Sequence, residues 1–200
     1  NGSSMAAVDC GKCVDTSMGI TPLEGVIMGT RSGSMDPAVV QYIANNDHMT
    51  VDEVLNMCNK KSGLLGISGL SSDMRDIDAA ADSGNERAII ARDMLISGIR
   101  KYIGSYAAVM NGVDVIVFTA GIGENGAELR EKVMSGFEYM GAKLDRQKNI
   151  DGNRKESVIS ADDSKVKIVV IPTDEELEIA RATLRVLDES PFLSPEENHV

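Results

Sequence analysis

Six residues, VDVIVF at 113–118, constrain the fold more than any other stretch. A continuous apolar run of strand length is the pattern of a strand covered on both faces, and such strands belong to sheets flanked by helices. The run passes straight into TAGIGEN, residues 119–125, and then into helical periodicity expected over 127–137. A second run, VKIVVIP at 166–172, is followed by a helix expected over 174–187. Strand, turn and helix in this order, twice, imply an α/β fold with the two strands parallel. Ligands in such folds sit at the carboxyl ends of strands, which directs attention to residues 119–125 and 173–176.

The rest of the chain can be read from local signals. Residues 4–18 read as a hairpin with Gly11-Lys12 as its two-residue turn. Asp36 and Pro37 suit the N-cap and first position of a helix running to about Asn46. Thr50 with Glu53 is a capping-box pattern, and Gly63 is expected to stop the helix that it opens. LLGISGLSS at 64–72 reads as a loop, after which Asp73 opens a short helical stretch. Residues 85–110 are the longest periodic segment, with Ala88, Ile89, Met94, Leu95, Ile99, Ile103 and Ala107 near helical spacing. Residues 140–149 read as irregular. The expected organisation is one domain over 1–189 and a frayed tail over 190–200.

Charge and composition exclude several classes of function. With 31 acidic against 20 basic residues, a formal charge of −11, and no cluster of Lys or Arg, the chain offers no cationic stripe to nucleic acid or to an anionic membrane. No apolar run approaches the roughly 20 residues that cross a bilayer. The opening NGSSMAAVD has neither a basic leader nor an apolar core, so a cytoplasmic location is expected. Three cysteines do not make a disulfide framework. CGKC at 10–13 lies across a hairpin turn, and no second such pair follows, which argues against a redox or zinc site. His48 and His199 are far apart and read as solvated. The chain does not begin with Met and opens within what reads as a motif, so it is expected to belong to something longer.

The candidate chemistry is spread over four segments. Gly121-Ile122-Gly123 sits where a strand meets a helix, so its amides could face an anion or a sugar-phosphate; tight packing explains the glycines equally well. Neither the dinucleotide fingerprint nor the lysine-bearing phosphate loop fits this spacing. Any countercharge must therefore come from elsewhere. Arg31, in the glycine-flanked GTRSG, can stabilise phosphoryl oxygens, the alternative being a surface arginine in a turn. Asp73-Met74-Arg75 reads either as part of a site or as an N-cap with a solvated charge pair. Glu175 and Glu176 open a helix, where carboxylates favour the dipole and where a largely hydrated Mg²⁺ could also be held.

Taken together and in order, NGSS, VDTSMGITPLEGVIMGTRSG, DMRD, FTAGIGEN and IPTDEE closely resemble the C-terminal half of the acetate kinase family. That family belongs to the acetate and sugar kinase, Hsp70 and actin superfamily, whose two RNase H-like domains clamp ATP between them. The resemblance implies an RNase H-like (actin-like ATPase) domain, a mixed sheet flanked by helices, incomplete at its N-terminus. It implies that Gly121, Ile122, Gly123, Glu124 and Asn125 form the adenosine-side loop, with Asn1 and Gly2 near the phosphates and Asp73, Met74 and Arg75 near adenine and ribose. Arg31 would be the transition-state arginine, and Glu175 would help to hold Mg²⁺, which Mn²⁺ could replace. The implied substrates are ATP/ADP and acetate/acetyl phosphate, and the implied assembly is a homodimer through this half. Propionate or butyrate kinase, or a non-catalytic nucleotide-binding fragment, are the alternatives. Ser34, Gly126 and Asp174 depart from the family pattern.

Overall fold

The computed structural model describes residues 2–189. Asn1 and the tail expected at 190–200 lie outside the described residues. In chain order the first elements are β1 (Ala6–Asp9), β2 (Lys12–Thr16), α1 (Ala38–Asn46), α2 (Val51–Lys60), α3 (Gly63–Ser68), α4 (Met74–Asp82) and α5 (Glu86–Val109). They are followed by β3 (Val115–Phe118), α6 (Ala120–Asn125), α7 (Ala127–Met134), α8 (Arg146–Asp151), β4 (Ser157–Val158), β5 (Lys167–Val170) and α9 (Glu175–Glu189). Among the described residues no helix is long and apolar enough to cross a membrane.

Helix α5 is the axis on which the site is assembled. Asn85 caps it, its Oδ1 accepting from the Ala88 amide at 3.0 Å. Ala88, Ala91, Leu95 and Ile99 recur every three or four residues and are buried as one stripe, against which α3, α4 and α7 pack. Met94, expected on that stripe, is 47% exposed because it falls one residue short of it. Asn111 and Gly112, both at positive φ, end the helix and turn the chain into β3.

The strands β3 and β5 are parallel, as expected, paired from Val115 with Lys167 to Phe118 with Val170. β4, which the sequence reading missed, is a two-residue antiparallel addition on the far side of β5. Coverage of β3 differs from expectation. Ile116 and Phe118 are buried, whereas Val115 and Val117 are 43% and 48% exposed, so the described residues cover only one face of the run.

Three local expectations are corrected. The hairpin turn is Cys10-Gly11, one residue earlier than expected, since both residues adopt positive φ (49° and 78°), as a two-residue turn of the primed type requires. Gly63 does not stop a helix but starts one, and residues 64–68, read as loop, complete α3. Packing of Leu64 and Ser68 into the interior overrides the weak helix preference of GLLGIS. Residues 140–149 are also more ordered than expected: Ala142 bridges to Val166, Leu144 bridges to Ser160, and Asp145 caps α8 by accepting from the Lys148 amide at 2.9 Å.

Candidate functional site

One wall of the site is the loop that carries Arg31, and it is held through its backbone. The Met28 amide donates to the Arg31 carbonyl at 3.0 Å, Ser62 to Thr30 at 2.9 Å, Leu64 to Met28 at 2.9 Å and Ser32 to Cys58 at 2.9 Å. Gly63, at φ +59°, makes this fit: a Cβ there would overlap the Met28 carbonyl oxygen and lie 2.6 Å from that of Arg31. A Cβ on Gly29 would stand 2.8 Å from the Ser72 carbonyl oxygen. Ser34 closes the loop, its hydroxyl donating to the Glu24 carboxylate and its amide to the Gly25 carbonyl at 2.8 Å. Half-buried Arg31 itself has its Nη1 3.5 Å from the Met28 sulfur, and a Cβ on Gly2 would be 3.3 Å from the same nitrogen. No described carboxylate lies within salt-bridge reach of its guanidinium.

A second wall is α6, where a glycine-rich turn was expected and the chain instead forms a short helix. Its two glycines differ. Space is open around a Cβ built on Gly121, whereas one on Gly123 would meet the Phe118 carbonyl carbon at 3.2 Å, so Gly123 serves close packing. Side chains hold this wall. The Glu124 carboxylate accepts from the Thr173 amide at 2.8 Å, and Thr173 Oγ1 accepts from the Ala120 amide at 3.0 Å, which ties the ends of β3 and β5 together. Asn125 donates to the Gly121 carbonyl at 2.6 Å and accepts from Arg154 Nε at 2.5 Å.

Behind α6 lies Arg130, fully buried. Its Nη1 donates to the Gly123 and Glu124 carbonyls at 2.6 and 3.1 Å, capping the carboxyl end of α6. Its Nε reaches Asn149 Oδ1 at 2.7 Å, and its Nη2 reaches the Asn149 carbonyl at 2.9 Å and Asn153 Oδ1 at 2.6 Å. These partners are neutral, and burial holds the guanidinium below its usual range.

Between the walls runs a cleft of about 440 Å³. Its apolar lining is Ile27, Met28, Leu64, Met74, Leu95 and Leu129. Of the residues singled out in the sequence, Gly2, Asp73, Met74, Arg75, Gly121, Ile122 and Asn125 also line it. Asp73 caps α4, accepting from the Arg75 amide at 2.9 Å and from its Nη2 at 2.5 Å, and these bonds hold its carboxyl at about 2. Both readings of that triplet thus describe one object, a cap and a cleft rim. Arg31 adjoins the cleft through Gly2 and Met28. Gly123, Glu124 and Glu175 are outside the lining, and Asn1 lies outside the described residues. Asp174, a departure from the family pattern, is engaged as a cap, accepting from the Leu177 amide at 3.0 Å.

Four polar lining residues were not singled out from the sequence: Ser3, Ser72, Asp78 and Arg154. Ser3 lies within NGSS and Ser72 directly precedes DMRD, so neighbourhood could have flagged them. Arg154 sits in a polar loop and bonds a partner 29 positions away, for which the sequence holds no local signal.

A helix-flanked parallel strand pair, with the segment after the carboxyl end of β3 lining a cleft and an arginine at its edge, defines an α/β ligand-binding domain. Comparison with known proteins narrows this: the Acetokinase family model matches residues 1–181. The chain belongs to the acetokinase family. It is 56% identical over 187 residues to the acetate kinase of Acetivibrio thermocellus and 57% identical over 189 residues to that of Bacillus cereus, each match taking in 94% of this chain and 47% of the relative. Among solved structures, Porphyromonas gingivalis acetate kinase superposes with a TM-score of 0.89 at 49% identity, covering 94% of this chain and 47% of that one. A propionate kinase from Francisella tularensis gives 0.84 at 44% identity, covering 90% and 46%. The fold is therefore the actin-like ATPase fold of these kinases. The chain spans about half the length of the relatives that it matches.

Proposed function

We propose that this chain is the C-terminal, nucleotide-binding part of an enzyme that reversibly transfers the γ-phosphoryl group of ATP to acetate, giving acetyl phosphate and ADP. The observation that supports this most is convergence: segments around residues 2, 28, 74, 122 and 154 line one cleft, in a chain 56% identical to an acetate kinase. The apolar faces of Met74, Leu95 and Leu129 suit a nucleobase, and the rim polar groups suit ribose and phosphates. Gly121, Ile122 and Asn125 take the adenosine side, backed by Gly123 and Glu124, while Asp73 and Arg75 flank the base. Gly2, with Asn1, adjoins the phosphates.

The reaction is an in-line attack by an acetate oxygen on the γ-phosphorus, which breaks the bond to the bridging β,γ-oxygen and leaves ADP. Arg31, without a described carboxylate to neutralise it and set in a rigid loop, stabilises the oxygens of the transferring group. Mg²⁺ or Mn²⁺, when bound, would neutralise charge on the phosphates. Glu175, an exposed carboxylate at the start of α9, the helix that follows β5, is the residue that would hold it. A nucleotide-bound Mg²⁺ asks for one or two carboxylates, with phosphate and water completing its shell. The likeness to the Francisella propionate kinase makes a short-chain acyl kinase the second reading. The same family reading carries a cytoplasmic homodimer.

In the intact enzyme, Arg31→Ala is expected to lower kcat by about two to four orders of magnitude, measured by trapping acetyl phosphate as its hydroxamate. Titration with ATP should show binding little changed. A loss below about threefold would remove Arg31 from the chemical step.

A further inference from the structure

Within the cleft, Asp78 is unlike its neighbours. It lines the same volume as Met74, Leu95 and Leu129, which are 9%, 1% and 5% exposed. Met74 and Asp78, four residues apart on α4, share one face of that helix. The Asp78 side chain is 32% exposed, and Arg92 Nη1 stands 3.7 Å from its Oδ1, beyond hydrogen-bonding distance. That nitrogen is engaged with Asp82 at 2.8 Å. Burial, reinforced by Glu128, pushes the Asp78 carboxyl above the usual carboxylate range against the opposing pull of Arg92 and Lys132. A half-buried carboxylate beside apolar side chains, its cation at ion-pair rather than hydrogen-bonding distance, keeps acceptor capacity that a ligand's donor would satisfy.

We propose that Asp78 is the base-reading residue of the cleft, accepting a hydrogen bond from the 6-amino group of adenine. This rests on the nucleotide reading above. Adenine presents a donor at that position, and hypoxanthine and guanine present a carbonyl oxygen that would face the carboxylate unfavourably. Guanine could instead offer its N1 and N2 donors to the two carboxylate oxygens, which makes GDP the competing ligand in the test.

The test is calorimetric titration of the intact enzyme with ADP, IDP, GDP and the diphosphate of purine riboside, which lacks the 6-amino group. The wild-type protein should bind ADP roughly ten- to a hundredfold more tightly than IDP or the purine riboside diphosphate, the worth of one hydrogen bond to a charged group. Asp78→Asn, whose amide can donate to a carbonyl, should bring the ADP and IDP affinities to within about threefold of each other. The purine riboside comparison needs no variant, so a variant that fails to fold leaves the proposal exposed to refutation. Equal binding of ADP and the purine riboside diphosphate would overturn the role of Asp78 and leave the nucleotide cleft standing. Tightest binding of GDP would overturn the assignment to adenine. If no nucleoside diphosphate binds, the nucleotide reading and this proposal fall together.

Discussion

The two walls of the cleft are made rigid by different means. The Arg31 loop is fastened to the α2–α3 junction by main-chain hydrogen bonds, and glycines allow the two backbones to meet: Met28, Arg31 and Thr30 are bonded irrespective of their side chains. The α6 wall is fastened by side chains reaching in from elsewhere, namely Arg130 from α7, the Thr173 hydroxyl from beyond the end of β5 and Arg154 from the loop before β4. Main-chain fastening tolerates most substitutions and fails where a Cβ is added at a contact. Side-chain fastening fails when one polar group is removed and its buried partners stay unpaired. The wall proposed to hold the catalytic charge is thus of the first kind, and the wall proposed to hold the adenosine is of the second.

The comparison is tested first at Gly63. Gly63→Ala places a methyl group against the Met28 and Arg31 carbonyls at positive φ, with main-chain atoms on both sides and no flexible side chain to yield. It is expected to cost roughly 4 kcal/mol or more in denaturant unfolding. Arg130→Met should come next. The substitution keeps much of the apolar stem but abandons the carbonyls of Gly123, Glu124 and Asn149, for an expected loss of about 3 kcal/mol. It should also weaken nucleotide binding, because α6 loses the group that caps its carboxyl end. A larger loss at Arg130 than at Gly63 would reverse the ranking of the two walls.

The same distinction decides what could be read from sequence. Thr50 and Glu53 announce α2 because the capping box is complete within four residues, and the structure contains both of its hydrogen bonds. The stripe on α5 is legible for the same reason, and so is the parallel pair β3–β5, whose strand–helix order leaves few topologies open. Arg130 was not legible: its partners Asn149 and Asn153 lie 19 and 23 positions away, and an arginine in a helix reads as solvated until the fold buries it. Asp78 failed for a like reason, since nothing in DIDAA says which acid faces a cleft. Residues 2, 73–75 and 121–125 were grouped through family likeness, as their spacing carries no such information.

The smallest effect is expected at the solvent edge, where a side-chain bond leaves no buried partner behind. Asp73 is held at about 2 by its hydrogen bonds from Arg75, below the ordinary aspartate value of about 3.9. A carboxyl whose value is depressed in the folded state contributes stability that is complete above the unfolded value and disappears as the pH falls through the folded one. Asp73 should therefore stabilise the protein fully above about pH 4 and lose that contribution as the pH falls toward 2. Asp73→Asn keeps a side-chain oxygen for the cap but cannot pair with the Arg75 guanidinium. Its melting temperature should lie slightly below that of the wild type at neutral pH and converge with it in acid, and added salt should narrow the neutral difference. A gap of constant size from pH 7 to pH 2 would show that Asp73 acts through the cap alone and that its charge contributes nothing to this rim of the cleft.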